Sequence, residues 1–281
     1  MLAHTTHHSI NVGGRLLLLH TPLVMGIVNV TPNSFYASSQ AITVSKALQT
    51  IETHLLQGAS IIDIGGASSK PNAPVVSIDE ELQRVLPVVK AAIKQFPNCI
   101  ISVDTTHAQL AQATLDAGAS IINDISAGIA DVAMLSTVAN YKCPYILMHM
   151  QGTPSTMQQQ PTYANVVTEV FNFFTHRIAQ ARQAGITDCI ADVGFGFGKT
   201  LTHNYELLNN LAHFKALQVP LLVGVSRKSM LYNVINTTAE EALNATTVAN
   251  TIALINGAKL LRVHDVQAAV EAIKIVDRCK N

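Results

Sequence analysis

Charge is what this sequence has least of. Only 13% of its 281 residues are Asp, Glu, Lys or Arg, against roughly 25% in an average soluble chain. Eighteen of each sign leave a formal net charge of zero. A binder of polyanions needs a basic patch or stripe, so a general nucleic-acid function is excluded, as is an acidic disordered tail. Cysteine is sparse too. Cys99, Cys143, Cys189 and Cys279 lie far apart and form no CxxC pair, which argues against a disulfide framework or a structural zinc site. No apolar run approaches the roughly 18 residues of a membrane span. Met1–His20 has no basic start and no adequate apolar stretch, so it does not read as a signal peptide. These absences leave an expected cytoplasmic, soluble domain of enzyme size.

Apolar residues are plentiful, at 48% of the chain, enough for a sizeable core. No linker or shift in composition divides the sequence. Residues 1–281 therefore read as one domain, with 1–22 as an N-terminal extension and hairpin.

One phrase recurs: Gly58-Ala59-Ser60-Ile61-Ile62-Asp63 returns as Gly118-Ala119-Ser120-Ile121-Ile122-Asn123, and more weakly as Gly257-Ala258-Lys259-Leu260-Leu261-Arg262. The glycine suits a helix C-cap, where φ is positive. The apolar residues after it suit a parallel strand buried on both faces. Further strands are expected at Leu23–Val30, Ile100–Asp104, Tyr145–His149, Cys189–Asp192, Leu221–Val225 and Lys259–His264. Helical stretches alternate with them at about 43–57, 78–96, 107–117, 131–140, 163–184, 203–212, 238–255 and 265–279. Strand–helix alternation of this kind predicts an α/β fold, a single (β/α)8 TIM barrel. Thr5–His20, turning at Val12-Gly13-Gly14-Arg15, reads as a short β-hairpin before it.

Barrel active sites lie at the C-terminal ends of the strands. Asn29, Asp63, Asp104, Asn123, His149, Asp192, Lys228, Arg262 and His264 would converge there. Asp192 suits a ligand edge with adjacent N–H donors, and Asn123 suits the mixed edge of a heterocycle. Arg262 and His264 alternate on one strand and so face one side. They suit an anion, unless Arg262 pairs with a loop acid such as Asp265. Ser226-Arg227-Lys228-Ser229 follows the seventh strand, a common phosphate region; a Schiff-base role for Lys228 is the rival reading. Gly194-Phe195-Gly196-Phe197-Gly198-Lys199-Thr200 misses the nucleotide-loop spacings. It reads instead as a tight loop that lets backbone approach a flat ligand, with Phe197 as an apolar wall. His149 is expected to be a hydrogen-bonded core residue, with Met148 lining a pocket. His4, His7 and His8 lie in a segment without a fold signal.

From about Val24 to Val276 the chain resembles the dihydropteroate synthase family of pterin-binding barrels. The resemblance rests on Met25-Gly26-Ile27-Val28-Asn29-Val30-Thr31-Pro32-Asn33-Ser34-Phe35, Ser102-Val103-Asp104-Thr105, Ile121-Ile122-Asn123-Asp124 and Leu147-Met148-His149-Met150-Gln151-Gly152, with Gly194–Lys199, Ser226–Met230 and Arg262–Asp265 after them. It implies that p-aminobenzoate displaces pyrophosphate from a dihydropterin diphosphate to form dihydropteroate. Asp104, Lys228 and Arg262 would be catalytic. Asp104, Asn123, Met148, Asp192, Phe197, Lys228 and Arg262 would hold the pterin. Asn29, Ser69, Arg262 and His264 would hold the diphosphate, Asn29 through Mg²⁺. Phe35, Ser69, Lys70, Pro71, Ser226 and Lys228 would line the p-aminobenzoate side. A homodimer and competition by sulfonamides are further implications. The chain departs from the family pattern at Tyr36-Ala37-Ser38-Ser39, where an Asp-Gly-Gly stretch is usual. It departs again at Ala67-Ser68-Ser69-Lys70-Pro71, where Lys70 replaces an arginine, and at Val193, which replaces a proline. Two other readings stay open: a methyltetrahydrofolate-dependent methyltransferase of the same superfamily with a corrinoid partner, and a pterin-binding paralogue with weak catalysis.

Overall fold

The structure, a computed structural model, describes residues 9–30, 38–68 and 76–280. Phe35, Ser69, Lys70 and Pro71 lie outside the described residues, as do His4, His7 and His8. The chain opens with an antiparallel hairpin, β1 (Ser9–Val12) and β2 (Arg15–Leu18). Eight parallel strands then close a barrel: β3 (Leu23–Asn29), β4 (Ile61–Gly65), β5 (Ile100–Asp104), β6 (Ile121–Asp124), β7 (Tyr145–Met148), β8 (Cys189–Asp192), β9 (Leu221–Val223) and β10 (Leu260–Val263). Between and after them run α1 (Ser38–Leu56), α2 (Ile78–Gln95), α3 (Ala108–Asp116), α4 (Met134–Tyr141), α5 (Val166–Gln183), α6 (Leu201–Asn209), α7 (Ser229–Tyr232), α8 (Leu243–Ile255) and α9 (Val266–Lys280).

The repeated glycines do what their position predicts. Gly58, Gly118 and Gly257 have φ of 99°, 106° and 108°. Their N–H groups close the preceding helices on Leu55, Leu115 and Leu254. Three helices differ from expectation. The one expected over 43–57 begins five residues earlier, at Ser38. The one expected over 203–212 ends at Asn209 and continues as a 3₁₀ turn, Leu211–Leu217. The one expected over 238–255 starts at Leu243, and α7 stands apart before it.

Strand alternation sorts side chains into layers. Outward residues such as Val24, Ile62, Val103, Leu147 and Val263 are buried in the core that includes helix residues such as Val88 and Leu110. Inward residues near the strand starts form a second core: Met25, Ile61, Ile121, Ile146, Ile190, Leu222 and Leu260. Ile10, Val12 and Leu19 from the N-terminal segment complete it, so the hairpin closes the barrel floor. The N–H of Asn11 bonds the Asp188 carboxylate at 2.9 Å and ties the hairpin to β8. Two residues further along the same inward faces, the character changes to Asp63, Ser102, Asn123, Asp192 and Arg262.

Candidate active site

Arg262 is the centre of this upper layer. Its Nε meets Asp63 Oδ2 at 2.6 Å and its Nη2 meets Asp104 Oδ2 at 2.7 Å. Asp63 is fully buried, whereas Arg262 and Asp104 keep 20% and 17% of their side chains exposed. Asp63 is therefore the internal anchor, and the other two face the mouth. Asn123 Nδ2 donates to the same Asp63 Oδ2 at 3.1 Å, which fixes the amide's orientation. The expected alternative of an Arg262 pair with Asp265 is corrected. Asp265 instead takes both ends of the Arg227 guanidinium, at 2.8 Å each.

Burial raises Asp104 to about 7, with Arg262 opposing and Asp63, Glu81 and Asp124 adding to the rise. Asp124, another strand-end acid, is spent on structure: it accepts from Ser126, Gly128 and the Tyr145 hydroxyl. Asp192 is also buried and pushed up by desolvation, with Lys228 opposing. Its Oδ1 accepts the Gly194 N–H at 2.8 Å. A Cβ added at Gly224 would stand 3.9 Å from both Asp192 Oδ2 and Arg262 Cβ. The missing side chain thus leaves a slot between the Asp192 carboxylate and the base of the Arg262 side chain.

Lys228 caps this slot. Its Nζ donates to the Phe195 carbonyl at 2.6 Å and lies 4.6 Å from the centre of the Phe197 ring. Burial lowers it to about 8, with Asp192 acting the other way. Met148, Met157 and Phe197 form a buried apolar cluster beside it, joined by Ile125 and Met150. The roles expected of Met148 and Phe197 as apolar walls fit this geometry.

The glycine loop packs tightly. A Cβ at Gly194 would stand 2.0 Å from the His149 carbonyl oxygen, and one at Gly198 would stand 2.4 Å from that of Gln151. These glycines, with φ of 68° and 60°, pack closely against the segment after β7. His149 is the expected core histidine. It is buried, its Nδ1 lies 2.9 Å from Lys199 Nζ, and burial and Lys199 push it down to about 2.

On the other side of the mouth, His264 Nδ1 lies 3.0 Å from Ser226 Oγ, which also accepts the His264 N–H. Desolvation at the rim and the Arg262 charge hold the imidazole below its usual range. His264 stands at the rim beside Arg262, where the sequence expects a cationic or donor group. Asn29 ends β3 with its side exposed at the same rim. Among the described residues no group of three or more His, Cys, Asp or Glu is placed to hold a metal. The Asn29 amide oxygen is a hard donor of the kind that Mg²⁺ accepts.

Three residues of the site were not assigned from the sequence: Asp63, Gly224 and Lys199. Asp63 was visible as a polar strand end. Its role needed the register that sets it beneath Arg262.

The chain matches the profile of the pterin binding enzyme family over residues 25–264. It is 44% identical to the dihydropteroate synthase of Escherichia coli K12 over 266 residues, 94% of each chain. The Yersinia pestis dihydropteroate synthase, solved with a sulfonamide drug complex, superposes with a TM-score of 0.91 at 41% identity, covering 97% of this chain and 99% of that one. The Xanthomonas albilineans dihydropteroate synthase, solved with 4-aminobenzoic acid, gives 0.90 at 38% identity and 98% coverage of both. By profile, sequence and superposition alike, this barrel belongs to the pterin binding enzymes and, among them, to the dihydropteroate synthases.

Proposed function

We propose that the mouth of this barrel joins p-aminobenzoate to 6-hydroxymethyl-7,8-dihydropterin diphosphate, the dihydropteroate-forming step of folate synthesis. The arylamine nitrogen bonds to the hydroxymethyl carbon as the bond from that carbon to the diphosphate oxygen breaks. Pyrophosphate leaves, and the amine loses a proton to solvent. The Gly224 slot between Asp192 and Arg262 carries this reading. It has a carboxylate acceptor on one side and the Arg262 side chain on the other, and a guanidinium plane stacks on flat rings.

Asp192 and Asn123 take the amino-pyrimidine edge, Lys228 a ring heteroatom, and Met148 and Phe197 the apolar face. Asp104, fixed by Arg262, faces cationic character as it develops at the pterin. Arg262, Ser226 and His264 receive the departing anion. Magnesium on the diphosphate would neutralise leaving-group charge, and Asn29 would be its protein ligand. Ser226 and Lys228 begin the p-aminobenzoate side, where sulfonamides would compete; Phe35, Ser69, Lys70 and Pro71 are its remaining proposed contacts. The decisive experiment mixes the purified chain, magnesium and both substrates. Dihydropteroate and pyrophosphate should appear in equal amounts. Pterin binding without either product would leave a binding paralogue, and methyl transfer from methyltetrahydrofolate would mark the rival enzyme.

We also propose a homodimer. α6 and α8 leave Leu201, Tyr205, Val248, Ile252 and Ile255 between 38% and 61% exposed. That is a stripe of outward apolar side chains of the kind that marks an interface. Sedimentation showing a 30.1 kDa species at micromolar concentration would refute it.

A further inference from the structure

Lys199 ends a run that looks like a phosphate loop, yet its side chain is turned into the protein. The residue is 3% exposed. Its Nζ lies 2.9 Å from His149 Nδ1, 3.2 Å from the His149 carbonyl oxygen, 2.9 Å from that of Gly194 and 3.0 Å from that of Phe197. An ammonium has three protons to give and accepts nothing, so this cage consumes them. Two of its acceptors belong to the glycine loop, and two belong to the residue that follows β7.

The loop has little else to define its path. Gly194, Gly196 and Gly198 all have positive φ, and it contains no regular element. Around it, Asn204 Oδ1 accepts from Gly196 N, Gln158 donates to the Gly196 carbonyl, and the Tyr163 hydroxyl donates to that of Gly198. The Phe197 N–H closes on the Gly194 carbonyl at 3.1 Å, and Lys199 reaches the carbonyls of both residues. These are the places where the loop touches the pterin residues. The Gly194 N–H holds Asp192 Oδ1, and the Phe197 ring lies beneath the Lys228 ammonium. The intervening Phe195 carbonyl accepts from that same Lys228.

We propose that Lys199 is a positioning residue for the pterin, a hydrogen-bonding clamp that holds Asp192 and Lys228 in register from behind without touching substrate. The proposal rests on the synthase reading of the site. It assigns the lysine of the glycine run to backbone, where a nucleotide loop would aim it at phosphate.

Lys199→Met keeps the chain length and removes the donors, whereas Lys199→Gln keeps two donors and removes the charge. Calorimetry with 6-hydroxymethyl-7,8-dihydropterin diphosphate and steady-state kinetics with p-aminobenzoate separate the two subsites, and circular dichroism reports folding. Pterin affinity should fall at least about tenfold in the Met variant, the equivalent of about 1.4 kcal/mol, and less in the Gln variant. The p-aminobenzoate KM should stay within about twofold. Folded variants with pterin affinity within twofold of wild type would overturn the proposal, as would equal losses at both subsites. Failure of both variants to fold would make Lys199 a folding residue and overturn it as well. Wild-type protein that does not bind the pterin would sink the synthase reading instead.

Discussion

The same eight strands build two unlike ends. At the floor, inward positions carry Met25, Ile61, Ile121, Ile146, Ile190, Leu222 and Leu260, sealed by the hairpin. At the mouth, two residues later, the inward positions carry Asp63, Asn123, Asp192 and Arg262. The floor gains stability by removing apolar area from water, about 1.5–3 kcal/mol per large side chain. The mouth does the opposite. It desolvates charges whose attraction does not reliably repay the cost. The barrel concentrates stability at one end, and that end can support a strained polar cluster at the other.

The sharpest way to break this division is Asp63→Ala. It leaves Arg262 without its buried partner and frees the Asn123 amide. Removing one member of a buried pair costs about 3–5 kcal/mol, and pterin binding should vanish with it. Denaturant titration and calorimetry on the same preparation check both. Wild-type pterin affinity in this variant would show that the mouth does not depend on its anchor.

The matching change at the floor is Ile190→Ala, two residues before Asp192. It should cost about 2–5 kcal/mol in stability and leave pterin affinity within twofold. A large loss of affinity in the folded variant would show that the two ends are coupled.

Asp192→Asn tests the mouth alone. A hydrogen bond to a charged group is worth about 1.5–3 kcal/mol, so the pterin Kd should rise while the p-aminobenzoate KM stays nearly constant. Calorimetry giving an unchanged pterin Kd would remove Asp192 from the site.

The smallest and most graded effect is pH. Asp104 is raised to about 7 from an unfolded value near 4. Between these values the folded state holds more protons at this group than the unfolded state, so its contribution to stability falls as pH rises. Activity should run the other way: kcat/KM for the pterin should decline below about pH 7 as Asp104 loses its charge. Asp104→Asn should lose that acid limb along with most of the rate. A wild-type profile flat from pH 8 to pH 5 would take the ionised carboxylate out of the reaction.

Much of the mouth was legible from residues alone because strand-end polarity is a local signal. Asp104, Asn123, Asp192 and Arg262 each end a run of apolar residues, and the barrel's symmetry brings such ends together. Less legible were partners. Arg262 had an acid three residues away in Asp265, yet it pairs with Asp63 and Asp104, 199 and 158 positions earlier in the chain. Sequence proximity favoured the wrong acid because the last strand of a closed barrel lies beside the first, so its inward side chains meet distant residues.

The sequence by itself determined the periods: glycine-capped helices, doubly buried strands, and a polar residue where each strand stops. These follow from backbone geometry and local burial. Only the tertiary structure decided which charge answers which, that the glycine loop packs on the segment after β7, and that Lys199 faces inward. Those outcomes depend on strand register and barrel closure. Both are set by the summed packing of the whole chain, and a one-residue shift in register would turn every inward side chain outward.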